Sequence, residues 1–295
     1  MSPARTVRRL AAGVATVLAV AMTVVPSASA APVPAAATAP AAPAAVPCHH
    51  CWHPALRTSW DWVLSVVPKA PFRAVSMYDI DGFDAAAADV ASLHAHGIKA
   101  VCYLSAGTWE NWRPDAAAFP ARLLGKGNGW PGEKWLDVRE IQKAGSKLRA
   151  IMDRRLDMCK RKGFDAVELD NVDGYSNRTG FAISPADQIF YDATLANDSH
   201  HRGLSVLQKN DIEQIPTLLP YFDAALNEQC NQYKECTTAQ NGSFGLDQYV
   251  RAGKAVFQAE YSLATAKFCR ADNRHDFNGV KFDLDLDGAV FKPCR

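Results

Sequence analysis

Val167-Glu168-Leu169-Asp170-Asn171-Val172-Asp173-Gly174-Tyr175 is an apolar run that breaks into carboxylates, an amide and a glycine turn. Ionised carboxylates are costly to bury unless paired or hydrogen-bonded, so three at one strand end call for a reason. A strand delivering acids to the rim of a parallel barrel supplies one, because the chemistry of such barrels sits where strands end.

Further apolar runs flank this one, and the segments between them show helical spacing. Strands are expected at 60–64, 74–78, 99–104, 166–169, 204–207, 224–226, 255–259 and 280–284. Helices are expected at 85–96, 141–162 and 185–202, ending at Gly97, Gly163 and Gly203, the residue type that caps helix C-termini. Strands apolar on both faces and alternating with helices indicate a parallel α/β sheet. Eight of them favour one closed (β/α)8 TIM barrel over a doubly wound sheet.

The rest of the chain bounds that domain. Arg5, Arg8 and Arg9 precede an apolar stretch and the small-residue run Ala28-Ser29-Ala30, so residues 1–30 read as a secretory signal peptide. Residues 31–47, nearly all Ala, Pro, Val and Thr, read as a disordered linker. The barrel is expected over 48–295 as one domain, secreted, monomeric and not membrane-bound once the signal is removed. Removing the three arginines leaves 29 basic and 31 acidic residues, a balance that argues against a nucleic-acid partner.

All eight cysteines lie after residue 47, and an even number in an exported chain favours disulfides. Spacing suggests Cys230 with Cys236 and Cys269 with Cys294; Cys102 with Cys159 is a further candidate. Cys48-His49-His50-Cys51 reads as disulfide-forming rather than as half of a zinc site, since no second ligand pair follows. Asp283-Leu284-Asp285-Leu286-Asp287-Gly288 reads as a half-buried strand ending in an Asp-Gly turn. No cofactor or metal is expected.

If the barrel is right, polar residues after several strands meet at one rim. Glycosidic cleavage needs two carboxyl groups across the scissile bond. Asp170 after the fourth strand and Glu228 after the sixth are placed for it. Asn171 and Lys209 could hold Asp170 ionised as the nucleophile, which leaves Glu228 as the general acid. Glu168 alternates with Asp170 and could exchange roles with it. Among the aromatics, Trp109 and Trp112 lie in a polar loop and are the best candidates to stack on sugar rings.

Several segments together resemble one family: CYLSAGTWENWRPDAAAFP (102–120), GWPGEKWLDVR (129–139), GFDAVELDNVDGY (163–175), QKNDIEQIP (208–216) and NEQCNQYKEC (227–236). The chain is similar in these to glycoside hydrolase family 114, whose members are TIM-barrel endo-α-1,4-polygalactosaminidases. The resemblance implies Asp170 and Glu228 as the catalytic pair. It also implies substrate contacts from Asp79, Asp81, Tyr103, Glu168, Asn171, Asp173, Lys209, Asn210, Gln229 and Glu260. The partner it implies is a partly deacetylated galactosamine polymer, a polycation that an acidic cleft would attract. Two rivals from other classes are a non-catalytic sugar-binding barrel and a metal-dependent polysaccharide deacetylase.

Overall fold

The computed structural model describes residues 41–295; the expected signal peptide and the first part of the linker lie outside the described residues. The chain runs through β1 (Trp60–Val63), β2 (Met77–Asp81) and β3 (Lys99–Ser105), then an antiparallel pair, β4 (Thr108–Glu110) and β5 (Glu133–Trp135). It continues with β6 (Ala166–Asp170), β7 (Ser205–Lys209), β8 (Ala224–Glu228), β9 (Ala255–Glu260), β10 (Asn278–Lys281) and a short β11 (Lys292–Pro293). The eight expected strands are all present and pair in parallel in the order β1-β2-β3-β6-β7-β8-β9-β10, a TIM-barrel sheet.

Strand parity sorts the side chains into two cores. Met77, Val101, Ala166, Leu207, Leu226 and Phe257 point into the barrel with Trp60 and Trp62. Their neighbours Tyr78, Ile80, Cys102, Val167, Val206 and Val256 pack outward against the helices. Burial on both faces is what makes the runs apolar without alternation. Among the described residues no ladder joins β1 to β10. That seam is bridged instead: the Trp60 indole N–H donates to the Asn278 carbonyl at 2.8 Å, and the Leu64 N–H donates to the Leu286 carbonyl at 2.8 Å.

The helical layer contains α1 (Ala87–Ala95), α2 (Lys147–Lys162), α3 (Pro185–His200), α4 (Ile215–Leu218), α5 (Cys230–Tyr233), α6 (Thr238–Asn241), α7 (Asp247–Arg251) and α8 (Thr265–Arg274). The second starts six residues later than its apolar spacing suggests, because Ser146 caps it by accepting from the Arg149 N–H. Gly163 then ends it at φ 92°, a conformation glycine adopts without a Cβ penalty. The Ser184–Asp187 capping box with Pro185 starts α3 where expected. All eight cysteines pair: 48 with 51, 102 with 159, 230 with 236, and 269 with 294. Cys102–Cys159 ties β3 to α2 inside the outer core.

Three expectations shift. The second strand begins at Met77 rather than 74, which moves Asp79 and Asp81 from the loop into the strand. The acid/Leu alternation after β10 is a turn and not a strand: Asp283 accepts from the Leu286 N–H and Leu286 sits at φ 46°. The boundary at 48 falls inside a packed stretch. Asn197 on α3 donates to the Ala44 carbonyl and accepts from the Val46 N–H, both at 2.8 Å, and Tyr221 donates to the Pro43 carbonyl.

One buried acid has a consequence for stability. Asp272 on α8 is pushed up to about 7, chiefly by burial, with Asn231 opposing and Glu260 reinforcing. The folded state keeps a proton there that the unfolded chain releases near the ordinary aspartate value of about 4. Its stabilising contribution is therefore complete below about pH 4 and lost as pH rises toward 7. Asp272→Asn should raise the melting temperature relative to the native protein more at pH 8 than at pH 4. A difference independent of pH would contradict this.

Candidate active site

The C-terminal ends of the strands open into a cavity of about 620 Å³. Parity decides which strand-end residues reach it. Asp81, Asp170, Lys209 and Glu228 close β2, β6, β7 and β8 on the inward side and line the cavity, together with Tyr103, two residues before the end of β3. After the last three strands the backbone turns through a left-handed residue: Asn171 at φ 61°, Asn210 at 47° and Gln229 at 62°. Asparagine tolerates that conformation better than most residues. Gly107 makes the turn after β6 fit, since a Cβ there would lie 1.6 Å from the Asn171 carbonyl oxygen.

Lys209 is the hub. Its side chain is 3 % exposed, and its Nζ lies 2.8 Å from Asp170 Oδ1, 3.0 Å from Glu168 Oε1 and 3.3 Å from Glu228 Oε2. It also lies 4.8 Å from the Trp62 ring centre. Burial opposes its charge, but Asp170, Glu168 and Glu228 together hold it well above the ordinary lysine value. The other oxygen of Asp170 accepts from the Tyr103 hydroxyl at 2.8 Å and the Asn171 amide at 3.1 Å. Burial works against the ionised Asp170; the Lys209 charge and these donors outweigh it and lower its pKa.

Glu228 is the more accessible carboxylate, with 28 % of its side chain exposed against 17 % for Asp170. It accepts from the Tyr261 hydroxyl and, at 3.0 Å, from the Asn210 amide. Burial, then the nearby carboxylates, push both Tyr103 and Tyr261 well above the ordinary phenol value, so they act as donors. Asp173 lines the rim, raised by burial and by Asp170.

The remaining expected contacts lie elsewhere. Asp79 and Glu168 point inward but are fully buried beneath the cavity. Trp109 is half-buried and donates its indole N–H to the Ala116 carbonyl at 3.0 Å, away from the cavity wall. Gln229 reaches Gln232 at 3.2 Å. Glu260 sits outside the barrel by parity, accepting from the Asn231 N–H and the Gln258 amide, both at 2.9 Å.

Sequence reasoning found only Trp112 of one whole wall. The excursion between β4 and β5 carries Glu110, Trp112, Arg113, Trp130 and Glu133 to the cavity, and the turn at Leu284–Leu286 faces it from the seam. Arg113 is clamped by both oxygens of Asp81, at 2.6 and 2.9 Å, and by Glu110 at 2.8 Å. The polar run that singled out Trp109 and Trp112 was the signal for it, and of those two only Trp112 lines the cavity.

A TIM barrel presenting two accessible carboxylates across a cleft lined with tryptophans defines a glycoside hydrolase. Its sequence matches the profile of glycoside-hydrolase family GH114 over residues 40–295, and the chain belongs to that family. It is 33 % identical to Aspergillus fumigatus Ega3, solved in complex with galactosamine, over 85 % of this chain and 99 % of that one (TM-score 0.75). The glycoside hydrolase domain of PelA from Pseudomonas aeruginosa shares the fold at 16 % identity, over 79 % and 97 % of the two chains (TM-score 0.58). An uncharacterized protein of Deinococcus radiodurans is 28 % identical over 229 residues, 72 % of each chain.

Proposed function

We propose that this protein is a secreted endo-α-1,4-galactosaminidase that cleaves partly deacetylated galactosamine polymer with retention of configuration. The carrying observation is the shared cation. Asp170 Oδ1 and Glu228 Oε2 contact one Nζ at 2.8 and 3.3 Å, so these oxygens are at most about 6 Å apart. That separation favours the ~5–5.5 Å of a retaining pair over the ~6.5–9.5 Å of an inverting one. Glu228 would protonate the leaving glycosidic oxygen while Asp170 attacks the anomeric carbon to form a glycosyl-enzyme. Glu228 would then take a proton from water, whose oxygen displaces Asp170.

The substrate assignment rests on charge and on the relative bound to galactosamine. Eight carboxylates line the cavity (Asp81, Asp84, Glu110, Glu133, Asp170, Asp173, Glu228 and Asp285) against two cations, Arg113 and Lys209, each already ion-paired. A polymer carrying ammonium groups suits that field. Four disulfides and the leader support export. The test is release of reducing ends from partly deacetylated against fully N-acetylated galactosamine polymer, with the anomer of the first product read by NMR. Failure to cut either polymer ends the reading; first products of inverted configuration end its mechanism.

Trp112 and Trp130 are 52 % and 57 % exposed on the wall, where a sugar face can stack. Replacing either with Ala should raise KM for the polymer about 2- to 10-fold with little change in kcat. An unchanged KM would remove them from the binding surface.

A further inference from the structure

Directly below Asp170 lie two acids that the proposed chemistry does not use. Asp79 on β2 and Glu168 on β6 are both 0 % exposed and face the barrel interior. An ionised carboxylate is costly to bury without a donor, so buried acids that lack one favour holding a proton. Neither oxygen of Asp79 has a hydrogen-bond partner, and Glu168 meets only the Lys209 ammonium, 3.0 Å from its Oε1. The charges point the same way. With Asp79, Glu168, Asp170 and Glu228 all ionised, one ammonium, Lys209, would face four buried or half-buried anions.

We propose that Asp79 and Glu168 form a proton-sharing pair that positions Lys209 and, through it, aligns the ionised Asp170. In this arrangement the Asp79 carboxylic acid donates to Glu168, and the Glu168 carboxylate takes one face of the Lys209 ammonium. The other N–H groups of Lys209 are thereby directed to Asp170 and Glu228. Asp79 and Glu168 are positioning residues and not sugar contacts, since neither lines the cavity. The assignment deepens the role proposed for Asp170 and rests on it only for the kinetic part of its test.

Environment supports the placement of the proton. Asp79 is held well above the ordinary aspartate value by burial first, then by the Glu168 charge and hydrogen bond, with Lys209 opposing. Glu168 is pushed up to about 7 by burial, with Lys209 and the bond from Asp79 opposing and Asp170 reinforcing. The titratable groups facing the pair are Asp170 on its own strand, Lys209 on β7, and Glu228 and Tyr103 through Lys209 and Asp170. Raising the pH beyond the shared proton adds a second anion beneath Lys209 and pulls the ammonium down, away from Asp170.

Two measurements test this, one independent of any substrate. Infrared difference spectra of the native protein minus Asp79→Asn at pH 6 should show a carboxylic-acid C=O band from the buried pair. Absence of that band would overturn the proposal whatever the enzyme cleaves. On a substrate that the native protein cuts, Asp79→Asn keeps a donor to Glu168 and should lower kcat about 3- to 10-fold, while Asp79→Ala leaves Glu168 with Lys209 alone and should lower it about 100-fold. KM should stay within about threefold in both, as expected for residues that do not touch substrate. The alkaline limb of kcat should move to higher pH in Asp79→Asn, which has no proton to lose. An unmoved limb, or a raised KM at constant kcat, would overturn the pair's role; no cleavage by the native protein would count against the proposed function alone.

Discussion

Asp170→Asn should abolish hydrolysis, lowering kcat by at least ~10⁴-fold, while leaving the fold and polymer binding intact. An amide cannot form the glycosyl-enzyme, and losses of this order accompany removal of a nucleophile. The melting temperature should move by no more than about 4 °C, because Lys209 keeps Glu168 and Glu228 as partners. Polymer binding measured by titration calorimetry separates lost chemistry from lost recognition. Residual activity above about 1 % would disqualify Asp170 as nucleophile. Glu168 could not simply replace it, because it lies sealed beneath the cavity.

Lys209→Met should be the most damaging single change to stability. Lys209 is buried, and its ammonium touches Glu168, Asp170 and Glu228. Methionine fills most of its volume, so packing against Trp62 is largely retained while the charge is lost. Breaking a buried ion pair by removing one partner costs about 3–5 kcal/mol, since the anions remain uncompensated. Protonation would relieve that repulsion, so the deficit measured by denaturant unfolding should shrink at acid pH. A loss under about 1 kcal/mol would show that the three carboxylates do not depend on this cation. Activity should vanish as well, because Asp170 loses its largest source of ionisation.

How much of this was legible in the sequence differs between strand and loop. The eight strands read correctly because burial on both faces leaves a dense apolar run that needs no partner to recognise. Asp170, Lys209 and Glu228 could be placed at the rim from sequence because each is polar at the end of such a run. Glu260 misled for a reason of parity: Ala255, Phe257 and Ala259 point inward, so the next residue points out. Asp79 misled by depth, since a strand placed three residues early made an interior acid look like a rim acid. Trp112 was legible from its polar run, but the rest of the wall was not, because its position depends on a long excursion whose path is fixed by contacts such as Arg113 with Asp81, distant in the chain.

The strap at residues 43–46 sets which way the molecule faces when it is held. It packs on α3 and beside Tyr221, where α3 runs into β7 and the chain approaches β8, at the end of the barrel opposite the cleft. A graft at Ala41, to a resin, a particle or another protein, would leave the mouth pointing outward and clear of its support. Long, stiff substrates could then slide across an immobilised catalyst without striking the surface that carries it.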